Sequence, residues 1–169
     1  MSNKTKISLA LLAASAAFFV VVKRDEGYTA KPVIPVKGDV PTQGYGSTVK
    51  PSGVPVKMTD PPISREIADK WLRNDVSKLE VTYKNLLKGI KLSQTEYDIY
   101  LDFSYQYGMR AFSNSSMLRN LKAGQYKQAC VSLLKYKYVA KRDCSIRSNG
   151  CYGVWTRQQE RYSKCIGVQ

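Results

Sequence analysis

Glu26-Gly27-Tyr28, followed by Gly38-Asp39-Val40-Pro41-Thr42-Gln43-Gly44-Tyr45-Gly46-Ser47-Thr48, is the stretch of sequence that decides the fold. All seven prolines and five of the eleven glycines fall between residues 26 and 62, and the apolar residues among them are spaced as short strands would be. Lys37-Gly38-Asp39 and Gly44-Tyr45-Gly46 would supply the turns. The composition therefore predicts a small, irregular β-hairpin lobe over residues 25–62. A proline-rich tether is the alternative.

The chain beyond this lobe is typical of helices. Ser64 begins an amphipathic pattern that ends before Gly89. The run Ser93-Gln94-Thr95-Glu96 is a capping box, which starts a second helix that stops near Gly108. Further helices are predicted over residues 114–122, 125–138 and 153–165. The predicted class is α+β, with the small hairpin lobe beside a larger helical lobe over residues 63–169.

The amino-terminal 24 residues contain an apolar run. No charge interrupts residues 7–22, and Lys6 and Lys23 flank them. The run is shorter than the roughly 20 residues of a spanning helix and is diluted with Ala and Ser, so membrane insertion is favoured by only about 3–5 kcal/mol. Three interpretations fit this run: a cleaved signal peptide, a permanent anchor, and an anchor weak enough to leave the bilayer. Cleavage after Ala16 would leave apolar residues on the mature end, so we expect a retained signal-anchor over residues 1–24.

The four cysteines all lie far beyond the apolar run. An even, clustered set that follows an export signal is typical of disulfides. Because Asn149-Gly150 favours a turn, we predict the nested pairing of Cys144 with Cys151 and of Cys130 with Cys165. A structural zinc site is the alternative, although no Cys-x-x-Cys pair is present. The body of the chain is therefore expected outside the cytoplasm.

The composition excludes several kinds of catalytic site. The chain of 169 residues has no histidine, which rules out a Ser-His-Asp triad, a Cys-His dyad and an imidazole base. The formal net charge of +14 indicates a polyanionic partner, which nucleic acid, an anionic membrane or a cell-wall polymer could supply. Residues 135–142 interleave basic and aromatic side chains as single-strand binders do. We favour a helix with a solvated basic face instead, and expect no nucleic-acid partner.

Acid-base chemistry must then fall to other groups. Most of the thirteen carboxylates lie on predicted helices with Lys or Arg close by, and three others are set apart by their position. Asp25 and Glu26 directly follow the apolar run, and Asp39 lies in the turn of the hairpin lobe. A glycosidase needs two carboxyl groups across the scissile bond, one protonated and one ionised. An acidic residue at the end of an apolar helix, facing an acidic residue on a polar hairpin, can provide this difference in protonation. Burial raises the pKa of a carboxyl group, whereas solvation does not.

These residues resemble the active-site segment of the phage-type lysozymes, the endolysins of glycoside hydrolase family 24. In that family a helix-borne Glu precedes an Asp and then a Thr-Ile-Gly-Tyr-Gly-like strand. The resemblance continues through residues 92–98, 103–108 and 112–118, and ends with Gly153, Arg157 and Glu160. It covers residues 25 to 165, and it implies a lysozyme-like fold.

The resemblance also implies roles for individual residues. Glu26 would be the general acid that protonates the glycosidic oxygen of peptidoglycan, and Thr42 would help to place the attacking water. The Asp does not transfer cleanly, because the usual register puts Val36 at its position. Asp39 is our candidate base. Asp25 is less suitable, because neighbours on a helix point about 100° apart.

The expected activity needs no metal and no cofactor, and a monomer would suffice. The apolar run resembles the signal-anchor-release segment of some endolysins, which would hold the chain at the host inner membrane through residues 7–22 and release it to the periplasm. A lytic transglycosylase, a non-catalytic anchored wall-binding protein and a membrane-tethered nucleic-acid binder are the competing hypotheses.

Overall fold

The computed structural model describes residues 5–36 and 38–169. The chain divides into two compact units. One comprises Ala14–Thr82, and the other joins the described part of residues 1–13 to Tyr83–Gln169. The division of the sequence at residues 24 and 62 stays a prediction.

The unit of residues 14–82 is built on helix α1, a small sheet and most of helix α2. Helix α1 (Ala16–Glu26) begins after Ser15, whose hydroxyl accepts a hydrogen bond from the Phe18 N–H, and it buries Phe18 and Val22. Strand β2 (Thr29–Val33) pairs antiparallel with strand β3 (Thr42–Gly44), so a two-stranded sheet forms where the hairpin lobe was predicted. Helix α2 (Arg65–Leu86) starts immediately after Ser64, as predicted.

The second unit is mainly helical. Its core follows helix α3 (Gln94–Tyr107), which begins with the predicted capping box and buries Tyr97, Tyr100, Leu101 and Phe103. The other helices are α4 (Met109–Ser113), α5 (Ser116–Lys122), α6 (Tyr126–Ser132) and α7 (Tyr152–Ile166). A buried ion pair, from Nε of Arg161 to Oδ2 of Asp102 at 2.8 Å, joins α7 to α3.

The prediction of one helix over residues 125–138 is wrong. Helix α6 ends at Ser132, a 3-10 turn covers Leu133–Lys135, and the chain then forms a hairpin of strands β5 (Tyr138–Val139) and β6 (Arg142–Asp143). The basic helix face expected over residues 135–142 is therefore wrong as well. The physical reason is tertiary, because the Tyr136 ring packs against Phe103 with centroids 4.6 Å apart.

The apolar run of residues 7–22 spans several elements. Strand β1 (Ile7–Ser8) pairs antiparallel with strand β4 (Lys91–Leu92), and a 3-10 turn follows over Leu9–Leu11. Leu9 and Leu12 are buried, and α1 then begins at Ala16. Within the described residues, no helix has the length and apolar character needed to cross a bilayer.

Two disulfides close the second unit. Cys130 bonds Cys165, and Cys144 bonds Cys151. The nested pairing predicted from the sequence is confirmed, and the zinc alternative is wrong because no thiolate is left to bind a metal.

Candidate active site

Glu26 is the last residue of α1, and its side chain is exposed. The helix ends there because Gly27 adopts a positive φ of 69° while its N–H still donates to the Lys23 carbonyl. The candidate acid therefore stands at a helix terminus whose direction is fixed by the packing of α1.

The loop 43–47 faces this carboxylate through Gly46. A Cβ on the Gly46 backbone would lie 3.4 Å from Oε2 of Glu26, and Gly46 has a φ of +87°, a conformation that favours glycine. The main chain of the loop therefore lies directly beside the carboxyl group, because Gly46 has no side chain.

Hydrogen bonds hold that loop in shape. The backbones of Gln43 and Ser47 exchange two hydrogen bonds, of 3.0 and 3.1 Å. The buried Gln43 side chain donates from Nε2 to the carbonyls of Ala30 (2.7 Å) and Pro61 (2.8 Å). Since these partners lie before and after the loop, a single amide fixes its position within the unit.

Helix α2 supports the loop from the other side. Gly44 is packed so closely that a Cβ there would lie 3.1 Å from Cβ of Ala68. The buried Ser47 hydroxyl donates to Oδ2 of Asp75 at 2.6 Å. Burial raises the pKa of Asp75 above its ordinary value of 3.8, and hydrogen bonds from Ser47 and Asn74 oppose part of that effect.

The other candidate residues occupy different surroundings. Thr42 begins β3, and its Oγ1 donates to the Val33 carbonyl at 3.4 Å. Asp39 is exposed, and its N–H donates to the Val36 carbonyl at 2.9 Å, which closes a turn. Lys37, part of the predicted turn, lies outside the described residues. The Asp25 side chain is only 10% exposed and accepts a hydrogen bond from Nε of Arg24.

The structure thus joins Glu26 to Gly46, while the roles of Asp39 and Thr42 stay predictions. Sequence reasoning missed Gln43, Ser47 and Asp75 as supports of this loop. The Gly-x-Gly spacing was a signal for Gly46. No signal in the sequence marked Asp75, because it is one of several acidic residues on a helix that also carries many basic residues. Within residues 5–36 and 38–169, no group of three His, Cys, Asp or Glu side chains could hold a metal ion.

Comparison with known proteins identifies the family. The model of the Phage lysozyme family matches residues 23–160. The chain belongs to this family. It is therefore a glycoside hydrolase of the lysozyme class, and the resemblance to the phage-type lysozymes is confirmed.

Several relatives of this phage lysozyme extend the match. The endolysin of Salmonella phage P22 is 31% identical over 122 residues, which cover 71% of this chain and 80% of the relative. The SAR-endolysin of Escherichia phage 933W is 42% identical over 55 residues, 32% of this chain and 31% of the relative. The match to the endolysin of Bacillus phage B103, at 35% identity, spans 54% of this chain but only about a third (32%) of that longer relative.

A crystal structure of a P22 lysozyme variant superposes with a TM-score of 0.74 at 25% identity. The superposition covers 90% of this chain and 97% of that one. The lysozyme-like α+β fold expected from the sequence is thereby confirmed.

Proposed function

We propose that this lysozyme is an endolysin, a muramidase that hydrolyses the glycosidic bonds of bacterial peptidoglycan during lysis of the host cell. The observation that carries the proposal is the placement of Glu26 at the end of α1 against the Gly46 backbone, within a chain of the Phage lysozyme family. The net charge of +14 suits an anionic cell wall.

In the proposed reaction, Glu26 donates its proton to the glycosidic oxygen as the bond from that oxygen to the sugar C1 breaks. A water positioned by Thr42 adds to C1, and Asp39 accepts the proton that the water loses. A new reducing end forms, and one proton exchange restores the two carboxyl groups. The residues need neither metal nor cofactor for these steps, and we expect a monomer to act.

The proposal is tested by muralytic rates on purified cell walls. Glu26→Gln keeps the shape of the side chain but removes the proton donor, so the rate should fall about 100- to 10,000-fold while the protein stays folded. Asp39→Asn should also abolish turnover, and Asp25→Asn is its matched control. A folded Glu26→Gln protein with a near-normal rate would refute the assignment of the acid.

The muralytic rates of Asp39→Asn and Asp25→Asn distinguish the two candidates for the base. If only Asp25→Asn abolishes turnover, the base is Asp25.

The reaction product separates hydrolysis from lytic transglycosylation, which the family match does not favour. A hydrolase leaves a reducing end, whereas a transglycosylase leaves an anhydro sugar.

We also propose that residues 7–22 first hold the chain in the host inner membrane and that release places it in the periplasm. The composition of the run and the similarity to SAR-endolysins support this. Glu26 follows the run closely, so in the anchored form the carboxylate would lie at the bilayer surface. Release would then be coupled to assembly of the active site.

A further inference from the structure

The basic segment that was predicted to lie on a helix forms a hairpin. Strands β5 and β6 are joined by Ala140 and Lys141, whose φ angles of 46° and 65° match the two-residue turn that suits a right-twisted hairpin. All five residues of this tip, 138–142, are exposed. Tyr138 is 56% exposed and Val139 is 37% exposed.

The base of the hairpin is fixed to the body of its unit. The Cys144 N–H donates to the Lys137 carbonyl at 2.8 Å, and Cys144 is bonded to Cys151. The Asn149 side chain donates to the Asp143 carbonyl, also at 2.8 Å. A tip held in this way loses little conformational entropy when it docks on a partner.

The charge of the segment is strongly positive. Five basic residues and one acidic residue lie between positions 135 and 147. The acidic one, Asp143, is engaged by Lys137 at 2.7 Å. In the described part of the chain, Lys141 and Arg142 form no ion pair. The Arg142 guanidinium donates a hydrogen bond from Nη1 to the Asn149 carbonyl at 3.4 Å, which leaves its charge without a protein anion. Both cations at the tip can therefore pair with an external anion.

Exposed apolar side chains accompany these cations. Besides Tyr138 and Val139 on the hairpin, Ile146 is 52% exposed just after β6. We infer that the tip, residues 138–142, together with Ile146, is a docking surface for an anionic phospholipid bilayer. Lys141 and Arg142 would contact lipid phosphates, while Tyr138 and the two aliphatic side chains would enter the interfacial layer, where Tyr is favoured.

The same contacts argue against single-stranded nucleic acid as the partner. Such binders present several aromatic rings for base stacking. Here Tyr136 is occupied, because its ring packs against Phe103 and Tyr107 with centroids 4.6 and 5.6 Å apart. Tyr138 alone remains on the hairpin, beside aliphatic side chains that offer a base no stacking partner.

The test is binding of the full-length, oxidised chain to vesicles of phosphatidylglycerol and phosphatidylcholine, compared with vesicles of phosphatidylcholine alone. Each basic residue near an anionic surface contributes about fivefold in affinity, so Lys141→Gln with Arg142→Gln should weaken binding to the anionic vesicles roughly thirtyfold. The matched control, Lys122→Gln with Lys127→Gln, removes the same charge from exposed lysines elsewhere. It should weaken binding only a few-fold.

Insertion is tested separately with Tyr138→Trp. Lipids brominated near the headgroup should quench the added fluorescence in anionic vesicles, relative to the parent with its two tryptophans. Residues 7–22 contribute equally in all of these variants, so the comparison isolates the hairpin. Equal weakening by the two double variants would overturn the inference, as would tighter binding of the tip to a single-stranded oligonucleotide than to vesicles. Because lytic rates on soluble wall fragments should not change, a failure here leaves the proposed muramidase activity intact.

Discussion

Gly46 lies against the carboxylate of Glu26, so that a Cβ on its backbone would be 3.4 Å from Oε2. That distance is an ordinary van der Waals contact, and a methyl group there would fill the space beside the carboxyl group without forcing it away. In the proposed reaction, substrate and water approach the Glu26 carboxyl group, and a methyl group at Gly46 would narrow that approach. If Glu26 is the acid, as proposed, Gly46 matters to the chemistry as well as to the turn.

Gly46→Ala should lower the lytic rate about tenfold to a hundredfold, because small changes beside a reacting group carry large costs. The positive φ of 87° adds a stability cost of roughly 1–2 kcal/mol. Gly53→Ala is the matched control, since Gly53 has a φ of +85° and nothing within 4 Å of its Cβ position. Urea unfolding should show similar losses of stability in both variants, with activity lost only in the first. Equal activities would show that Gly46 serves the turn alone.

The sequence predicted the parts of this fold that depend on neighbouring residues. The capping box at Ser93, the start of α2 after Ser64 and the disulfide around the Asn149-Gly150 turn are local signals, and the structure contains all three. Residues 135–142 were predicted wrongly because packing of Tyr136 on Phe103, distant in sequence, overrides local helix propensity. The link from Ser47 to Asp75 spans 28 residues and left no pattern in the sequence.

Asp75 should make stability depend on pH. Its pKa is raised by burial above 3.8, so the folded state holds the proton more tightly than the unfolded chain. The stability that protonation of Asp75 contributes is therefore complete below pH 3.8 and is lost as the pH rises through the raised pKa. Asp75→Asn should remove this slope, which urea unfolding of parent and variant from pH 3 to pH 7 will measure.

Ser47→Ala provides the complementary measurement. The Ser47 hydrogen bond lowers the pKa of Asp75, so its removal should shift the inflection to higher pH. An unchanged inflection in Ser47→Ala, or an unchanged slope in Asp75→Asn, would contradict the assignment of the slope to this pair.

Lys6 should be a strong contributor to the stability of the second unit. Its ammonium group pairs with Glu96, whose side chain is 0% exposed and also accepts hydrogen bonds from Ser93 and Gln169. Lys6→Met would leave a buried carboxylate without a cation. The expected cost is about 3 kcal/mol, the low end for a broken buried pair, because Lys6 itself is partly exposed.

A double-mutant cycle with Glu96→Gln measures that coupling. Gln is also accepted in a capping box, so helix α3 should keep its start. In the Glu96→Gln background, Lys6→Met should cost much less than in the parent. Lys88→Met controls for charge, because Lys88 is exposed and forms no ion pair with the described residues. Equal costs in the two backgrounds would show that Lys6 acts through packing rather than through the pair.

The proposed release from the membrane depends on the weakness of residues 7–22 as an anchor. Ala13, Ala16 and Ala17 are exposed in the folded chain, so Leu at these positions should change folded stability little. In a bilayer the three substitutions should add about 1–2 kcal/mol to insertion. We expect the Leu variant to stay in the membrane fraction and to lyse cells late, while fractionation finds the parent increasingly soluble.

The control replaces the same three residues with Ser, which should have the opposite effect on membrane insertion. It weakens the anchor without changing the charge, so the protein should become soluble earlier and lyse cells sooner. Collapse of the membrane potential should release the parent but not the Leu variant, because the field adds an energy comparable with the small insertion energy. If parent, Leu and Ser variants all fractionate alike and lyse cells at the same time, anchoring by residues 7–22 does not control release. Since lytic rates on purified walls are measured without a membrane, that result would leave the assignment of Glu26 standing.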